Sequence, residues 1–108
     1  MKRGDLVTVV VAGDYGKPRP AVVIQSDHLD QGDSVLVTLL TSSMADASYY
    51  RLSLEPDEEN GLRAPSQIMV DKILAVPRAK CGAVIGRLDN KSLTTFDQLL
   101  LVMVGLAD

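Results

Sequence analysis

At 108 residues, with 46% apolar and 23% charged side chains, the chain is sized for one domain spanning 1–108, and its composition is neither that of a disordered protein nor that of a disulfide scaffold. Its single cysteine, Cys81, excludes an internal disulfide and fits a reducing compartment, so a cytoplasmic location is expected. The net charge of −3 argues against a generic basic nucleic-acid binder, and no stretch approaches the roughly 20 apolar residues that span a bilayer.

Met1-Lys2-Arg3 before an apolar run looks like the opening of a secretion signal. Asp5 and Thr8 interrupt that run and no small-residue cleavage site follows, so residues 6–11 read as a β-branched strand. Residues 12–18 (AGDYGKP) are rich in turn formers, and residues 19–25 (RPAVVIQ) form the next strand. Residues 34–41 (SVLVTLLT) are apolar on both faces, which places that strand centrally. Residues 50–54 alternate as a half-exposed strand, and 55–61 form a polar turn, because its acids resist burial and Asn60-Gly61 stops a strand. Within 67–76 two apolar patches flank Asp71-Lys72, predicting one bent strand or two short ones. Residues 81–88 complete the strands, with Gly82 and Gly86 marking bulges or tight bends.

The period then changes. Asp89 or Asn90 can cap a helix whose apolar positions include Leu93, Phe96, Leu99, Leu100 and Met103, with Gly105 as its stop. Leu101, Val102 and Val104 widen the apolar face beyond what one sheet needs, which suggests burial against a second subunit as well. The sum is a mostly antiparallel β domain closed by a C-terminal helix.

With one His and one Cys, a soft-metal site is not expected, and the acids of 55–59 lack the spacing of a calcium loop. No glycine-rich loop ends in Lys-Ser or Lys-Thr, which removes P-loop nucleotide hydrolysis, and the lone His28 lies in a turn-like segment typical of surface histidines. Charge is nonetheless uneven. Residues 31–60 hold six acids against Arg51, whereas 61–90 hold Arg63, Lys72, Arg78, Lys80 and Arg87 against Asp71 and Asp89, so a local cationic groove is conceivable on an acidic protein.

Four segments carry a family signal in their order: Arg3-Gly4-Asp5-Leu6-Val7; Gly16-Lys17-Pro18-Arg19-Pro20-Ala21-Val22-Val23-Ile24; Leu39-Leu40-Thr41-Ser42; and Gly61-Leu62-Arg63 leading to Ser66-Gln67-Ile68. Over nearly the whole chain this succession resembles the MazF/PemK family of toxin endoribonucleases. The resemblance implies a mainly β fold with helices, an SH3-like small barrel of the CcdB/MazF kind with a C-terminal helix, working as a homodimer. It also implies a metal-independent, sequence-specific cut in single-stranded mRNA by 2′-OH attack, without cofactor. Translation would be inhibited, and a MazE/PemI-like antitoxin with an acidic tail would neutralise the toxin.

Carried over residue by residue, the catalytic arginine of the family falls on Arg19 and its catalytic threonine on Thr41. Those residue types suit the chemistry. RNA supplies its own nucleophile, so the protein must align the attack and stabilise charge on the phosphorane oxygens. A guanidinium is permanently charged and shaped for two phosphate oxygens, though a poor general base. A hydroxyl can orient the phosphate. Lys17, Ser42, Ser66 and Gln67 would line the RNA groove and Tyr15 would stack on an unpaired base. Some members carry a histidine in the loop before the arginine, where this chain has Asp14, Tyr15 and Lys17; some carry an acid before the glutamine, where it has Ser66. Asp14 is therefore the candidate proton acceptor.

Two other readings share the fold. A CcdB-like gyrase poison would end in Trp-Gly-Ile, whereas this chain ends Gly105-Leu106-Ala107-Asp108 and has no Trp. A non-catalytic SH3-like binding module would have no reason to bring Arg19 and Thr41 together.

Overall fold

The computed structural model describes residues 1–13, 15–29, 31–47 and 49–108. Six strands, β1 (Asp5–Val10), β2 (Pro18–Val23), β3 (Ser34–Thr41), β4 (Arg51–Leu54), β5 (Ser66–Pro77) and β6 (Cys81–Arg87), form one antiparallel sheet in the order β4-β5-β3-β2-β1-β6. A single α-helix, α1 (Asn90–Met103), follows, and short 3-10 turns occupy Asp27–Leu29 and Arg78–Lys80.

Strand alternation divides the core in two. Leu6, Val22 and Leu40 join Leu54, Ile68, Val70, Leu88 and the fully buried Phe96, against which Leu93, Leu99, Leu100 and Met103 of the helix pack. Their chain neighbours Val7, Ala21, Val23 and Leu39 fall into a second cluster with Val9, Val35, Val37, Met69 and Val76. Each fully buried Val, Leu or Phe contributes about 1.5–3 kcal/mol. Because both faces are covered over most of its length, β3 is apolar along its middle apart from the buried Thr38, and it lies inside the sheet as its sequence suggests.

The interrupted segment 67–76 is one long strand. Its ladder with β3 shifts register between Thr38 and Leu40: Thr38 faces Ile73, while Leu40 faces Ile68. The exposed Asp71-Lys72 pair sits in the slack this creates, so the polar interruption marks an irregularity rather than a break. The β1–β6 ladder is irregular as well, with shifts on both sides of Val7.

Among the described residues no ladder joins the edge strands β4 and β6. The loop after β4 instead returns across the open side and lies on β6. The Arg87 backbone N–H donates to the Glu59 carbonyl at 2.9 Å. Gly61, at φ +69°, abuts the Ile85 carbonyl, and Gly86 abuts the backbone of Glu59 and Asn60. Asn60, 5% exposed, locks the loop from within: its amide donates to Glu55 O and accepts from the N–H groups of Asp57 and Leu62.

Helix α1 is stopped at both ends by its own sequence. Asp89 accepts from Ser92 N–H at 2.6 Å as the N-cap. At the C-terminus Leu106 N–H reaches Leu101 O and Gly105 N–H reaches Val102 O, with Gly105 at φ +79°, a Schellman arrangement. The backbone bond from Ser92 holds the Asp89 carboxyl below the usual carboxylate range. A depressed folded-state pKa means the cap stabilises the fold above the unfolded value of about 4 and loses that effect as pH falls through the folded value. Asp89→Ala is therefore expected to lower stability in urea denaturation at neutral pH, and its gap to the unsubstituted protein should close as pH drops below about 4. A gap that persists at acid pH would show that the cap works without its charge.

Candidate active site

A cleft of about 540 Å³ lies where the start of β2 meets the end of β3. One wall carries Thr8, Pro18, Arg19, Pro20, Leu40, Thr41 and Ser42. Residues 61–64, Ser66 and Ile85 complete it from the loop laid on β6. The lining is largely apolar, with Leu40, Leu62, Ile85 and two prolines, and Arg19, Arg63 and the hydroxyl residues add its polar groups.

In the β2–β3 ladder Val23 faces Val37, Val22 faces Thr38 and Ala21 faces Leu39. The ladder ends at Ala21–Leu39, and beyond it Arg19 and Thr41 line the same cleft. The Arg19 guanidinium donates from Nη2 to Leu40 O at 3.2 Å, which ties it to the end of β3. Pro18 and Pro20 flank it, and their restricted φ stiffens the backbone on either side. The Thr41 hydroxyl oxygen accepts from Ser43 N–H at 3.0 Å, which orients the side chain and leaves its own proton to donate.

The other expected groove residues are placed differently. Ser42 is exposed on the cleft wall. Ser66 lines the same cleft beside residues 61–64 but is 6% exposed, and its hydroxyl donates to Ala64 O at 2.9 Å. Lys17 and Tyr15 line a shallow depression continuous with the cleft through Pro18 and Arg19. Tyr15 is 97% exposed at φ +53°, presenting its ring to solvent. Asp14 lies outside the described residues.

Gln67 is not a cleft residue. Its side chain is 6% exposed and committed to the protein: Oε1 accepts from Ala45 N–H (3.0 Å) and Arg51 Nη1 (2.9 Å), and Nε2 donates to Ala45 O (2.9 Å) and Ser53 Oγ (3.2 Å). The amide thus grips Ala45 as a neighbouring strand would, and with Arg51, which also donates to Ser43 O, it holds the 42–50 loop beside Thr41. A primary amide can donate and accept at one position, which this grip requires. Gln67, expected in the RNA groove, is thus placed behind the 43–45 backbone, with its amide engaged within the protein.

The base-rich stretch 61–90 does not become one cationic face. Lys72 Nζ lies 4.0 Å from Asp71, Arg78 Nε donates to Gly32 O, and Arg87 shares a polar depression with Asp5, Glu58 and Glu59. Of these bases only Arg63 lines the cleft. Arg63, as a cleft residue, and Arg51, as a loop anchor, were not singled out as site residues from sequence. No carboxylate lines the cleft among the described residues, nor do three His, Cys, Asp or Glu side chains gather as a metal-binding group.

Comparison with known proteins agrees with this architecture. The family model described as PemK-like, MazF-like toxin of type II toxin-antitoxin system matches residues 2–104. A probable endoribonuclease MazF of Mycolicibacterium smegmatis is 41% identical over 108 residues, 99% of each chain. Among solved structures, an endoribonuclease in complex with its cognate antitoxin from a mycobacterial species matches with a TM-score of 0.84 at 15% identity, over 100% of this chain and 98% of that one. A MazE–MazF structure from Deinococcus radiodurans matches with a TM-score of 0.80 at 16% identity, over 99% and 97%. At those identities the structural likeness is one of fold.

Proposed function

The chain belongs to the PemK-like, MazF-like toxin family of type II toxin–antitoxin systems and is an endoribonuclease of that kind; from that premise we propose that its 1–108 domain cuts single-stranded mRNA, at a preferred sequence, by metal-independent attack of a 2′-OH on the adjacent phosphorus. The observation that supports this reading is that Arg19 and Thr41 line the same cleft, with Arg19 hydrogen-bonded to the Leu40 carbonyl next to Thr41. Arg19 stabilises the charge that gathers on the phosphorane oxygens, and Thr41 donates a hydrogen bond that positions the phosphate. The apolar lining and the exposed ring of Tyr15 suit splayed, unpaired bases. Lys17 and Ser42 act as RNA contacts, and Asp14, in the loop before Arg19, is the proton acceptor.

The working unit is a homodimer. Leu101, Val102, Val104 and Leu106 are 44–76% exposed at the end of α1, an apolar patch that a second copy would cover. A MazE/PemI-like antitoxin would place an acidic segment in the cleft as a phosphate mimic, in keeping with the antitoxin complexes of the fold relatives. The site of action is the cytoplasm, where mRNA is translated; no helix among the described residues is long and apolar enough to cross a membrane.

The deciding experiment is incubation of purified protein with a varied panel of single-stranded RNAs in excess EDTA. Cleavage is expected, leaving a 2′,3′-cyclic phosphate or 3′-phosphate and a 5′-OH, with duplex RNA spared. An RNA panel left intact would overturn the reading, and loss of cutting on chelation would overturn its metal-independent form.

A further inference from the structure

Arg63 stands on the side of the cleft supplied by residues 61–66, apart from the wall that carries Arg19 and Thr41. It is exposed, and among the described residues its guanidinium makes no hydrogen bond or ion pair. An exposed arginine usually costs side-chain entropy to immobilise, but the backbone here is fixed before any ligand arrives. Gly61 abuts the Ile85 carbonyl, Leu62 N–H is held by Asn60 Oδ1 at 3.0 Å, and Ser66 Oγ binds Ala64 O. The loop is a rigid mount that carries one cation into a cleft.

We infer that Arg63 is a second phosphate-binding residue, gripping a phosphate next to the scissile one and so setting which stretch of the strand lies over Arg19 and Thr41. The inference rests on the nuclease reading above. Single-stranded RNA carries a phosphate on either side of the one being cut, and a strand crossing the cleft passes both walls. A guanidinium suits a phosphate bidentately and retains its charge. The apolar residues of the cleft lining, Leu62 and Ile85 among them, accept the intervening base by contact rather than by charge. Since Arg63 binds away from the reacting bond, it contributes equally to ground state and transition state, and its removal should act on KM rather than kcat.

The test uses a short RNA with one mapped cleavage site, the full-length protein, and Arg63→Ala and Arg63→Lys. Arg63→Ala should raise KM about tenfold with kcat nearly unchanged, and should reduce the salt dependence of log KM by about 0.7, one phosphate contact on a single strand. Arg63→Lys should restore that salt dependence and most of the affinity. Neutral methylphosphonate linkages placed one at a time should then identify a phosphate whose neutralisation raises KM in the unsubstituted protein but adds nothing in Arg63→Ala; a merely structural arginine would show no such coupling. If the unsubstituted protein cuts RNA while Arg63→Ala matches it in KM and salt dependence, or if both are penalised equally at every linkage, the inference about Arg63 is overturned and the nuclease reading stands. If the unsubstituted protein neither binds nor cuts the RNA, both fall together.

Discussion

Arg19→Ala is expected to slow cleavage of single-stranded RNA by a factor of about 10²–10³, equivalent to about 2.7–4 kcal/mol of transition-state stabilisation. That size follows from the task of the group. Charge on the phosphorane oxygens rises only as the 2′-OH attacks, and Arg19, tied to Leu40 O beside Thr41, is placed before that charge appears. The loss should therefore fall mainly on kcat, unlike the loss expected for Arg63. Arg19→Lys should recover only part of the rate, because an ammonium brings charge without the planar fork. A guanidinium keeps its charge across the working range, so Arg19→Ala should lower the pH–rate curve throughout and leave its limbs where they are, whereas loss of the proton acceptor should move a limb. Arg19 is partly exposed and lies outside both core clusters, so circular dichroism and thermal melting should change little. An Arg19→Ala protein that folds normally and cuts at the original rate would remove Arg19 from the mechanism.

Gly61→Ala should be the most damaging small substitution to the fold, costing about 3 kcal/mol and lowering the melting temperature by roughly 10–20 °C. Two effects coincide there. The φ of +69° disfavours any side chain, and a Cβ would strike the Ile85 carbonyl, which is backbone and cannot swing aside. Gly86→Ala meets the same obstacle from the facing side, against the backbone of Glu59 and Asn60. Gly16 is the internal control: its φ is +77° but nothing lies within 4 Å of a Cβ, so Gly16→Ala should cost only the backbone term, about 1 kcal/mol. Thermal melts of the three variants rank them directly. Equal losses for Gly61→Ala and Gly16→Ala, with none for Gly86→Ala, would mean that the contact between the 55–61 loop and β6 contributes nothing beyond backbone strain.

Local features were readable in advance because local residues cause them. The β-branched run of residues 34–41, the acids and Asn-Gly of 55–61, and the Asp89 cap with its Gly105 stop each specify their own element. The position of β3 inside the sheet was also legible, since only a strand covered on both faces can be so apolar. Strand order was not, because nothing in residues 5–10 names residues 81–87 as their partner. The anchoring bonds of Gln67 were not legible for the same reason: a glutamine in a strand does not reveal whether it faces solvent or a loop needing an anchor. The basic stretch 61–90 was scattered by strand alternation, by the irregularity at Asp71-Lys72 and by the turn at Arg78–Lys80. The choice of Arg19 and Thr41 came from family resemblance; the structure places both along one cleft, where β2 starts and β3 ends.

The pairing of β1 with β6 also bears on the timing of biosynthesis. Ribosomes add roughly 5–20 residues per second, and contacts distant in sequence form late because loop closure must precede them. A growing chain carries Arg19 and Thr41 well before it carries Ile85 and Gly86, on which the opposite wall of the cleft rests. Until residues 81–87 pair with β1, a growing chain holds Arg19 and Thr41 without Ile85 and Gly86, so the rest of the cleft lining is assembled late in folding.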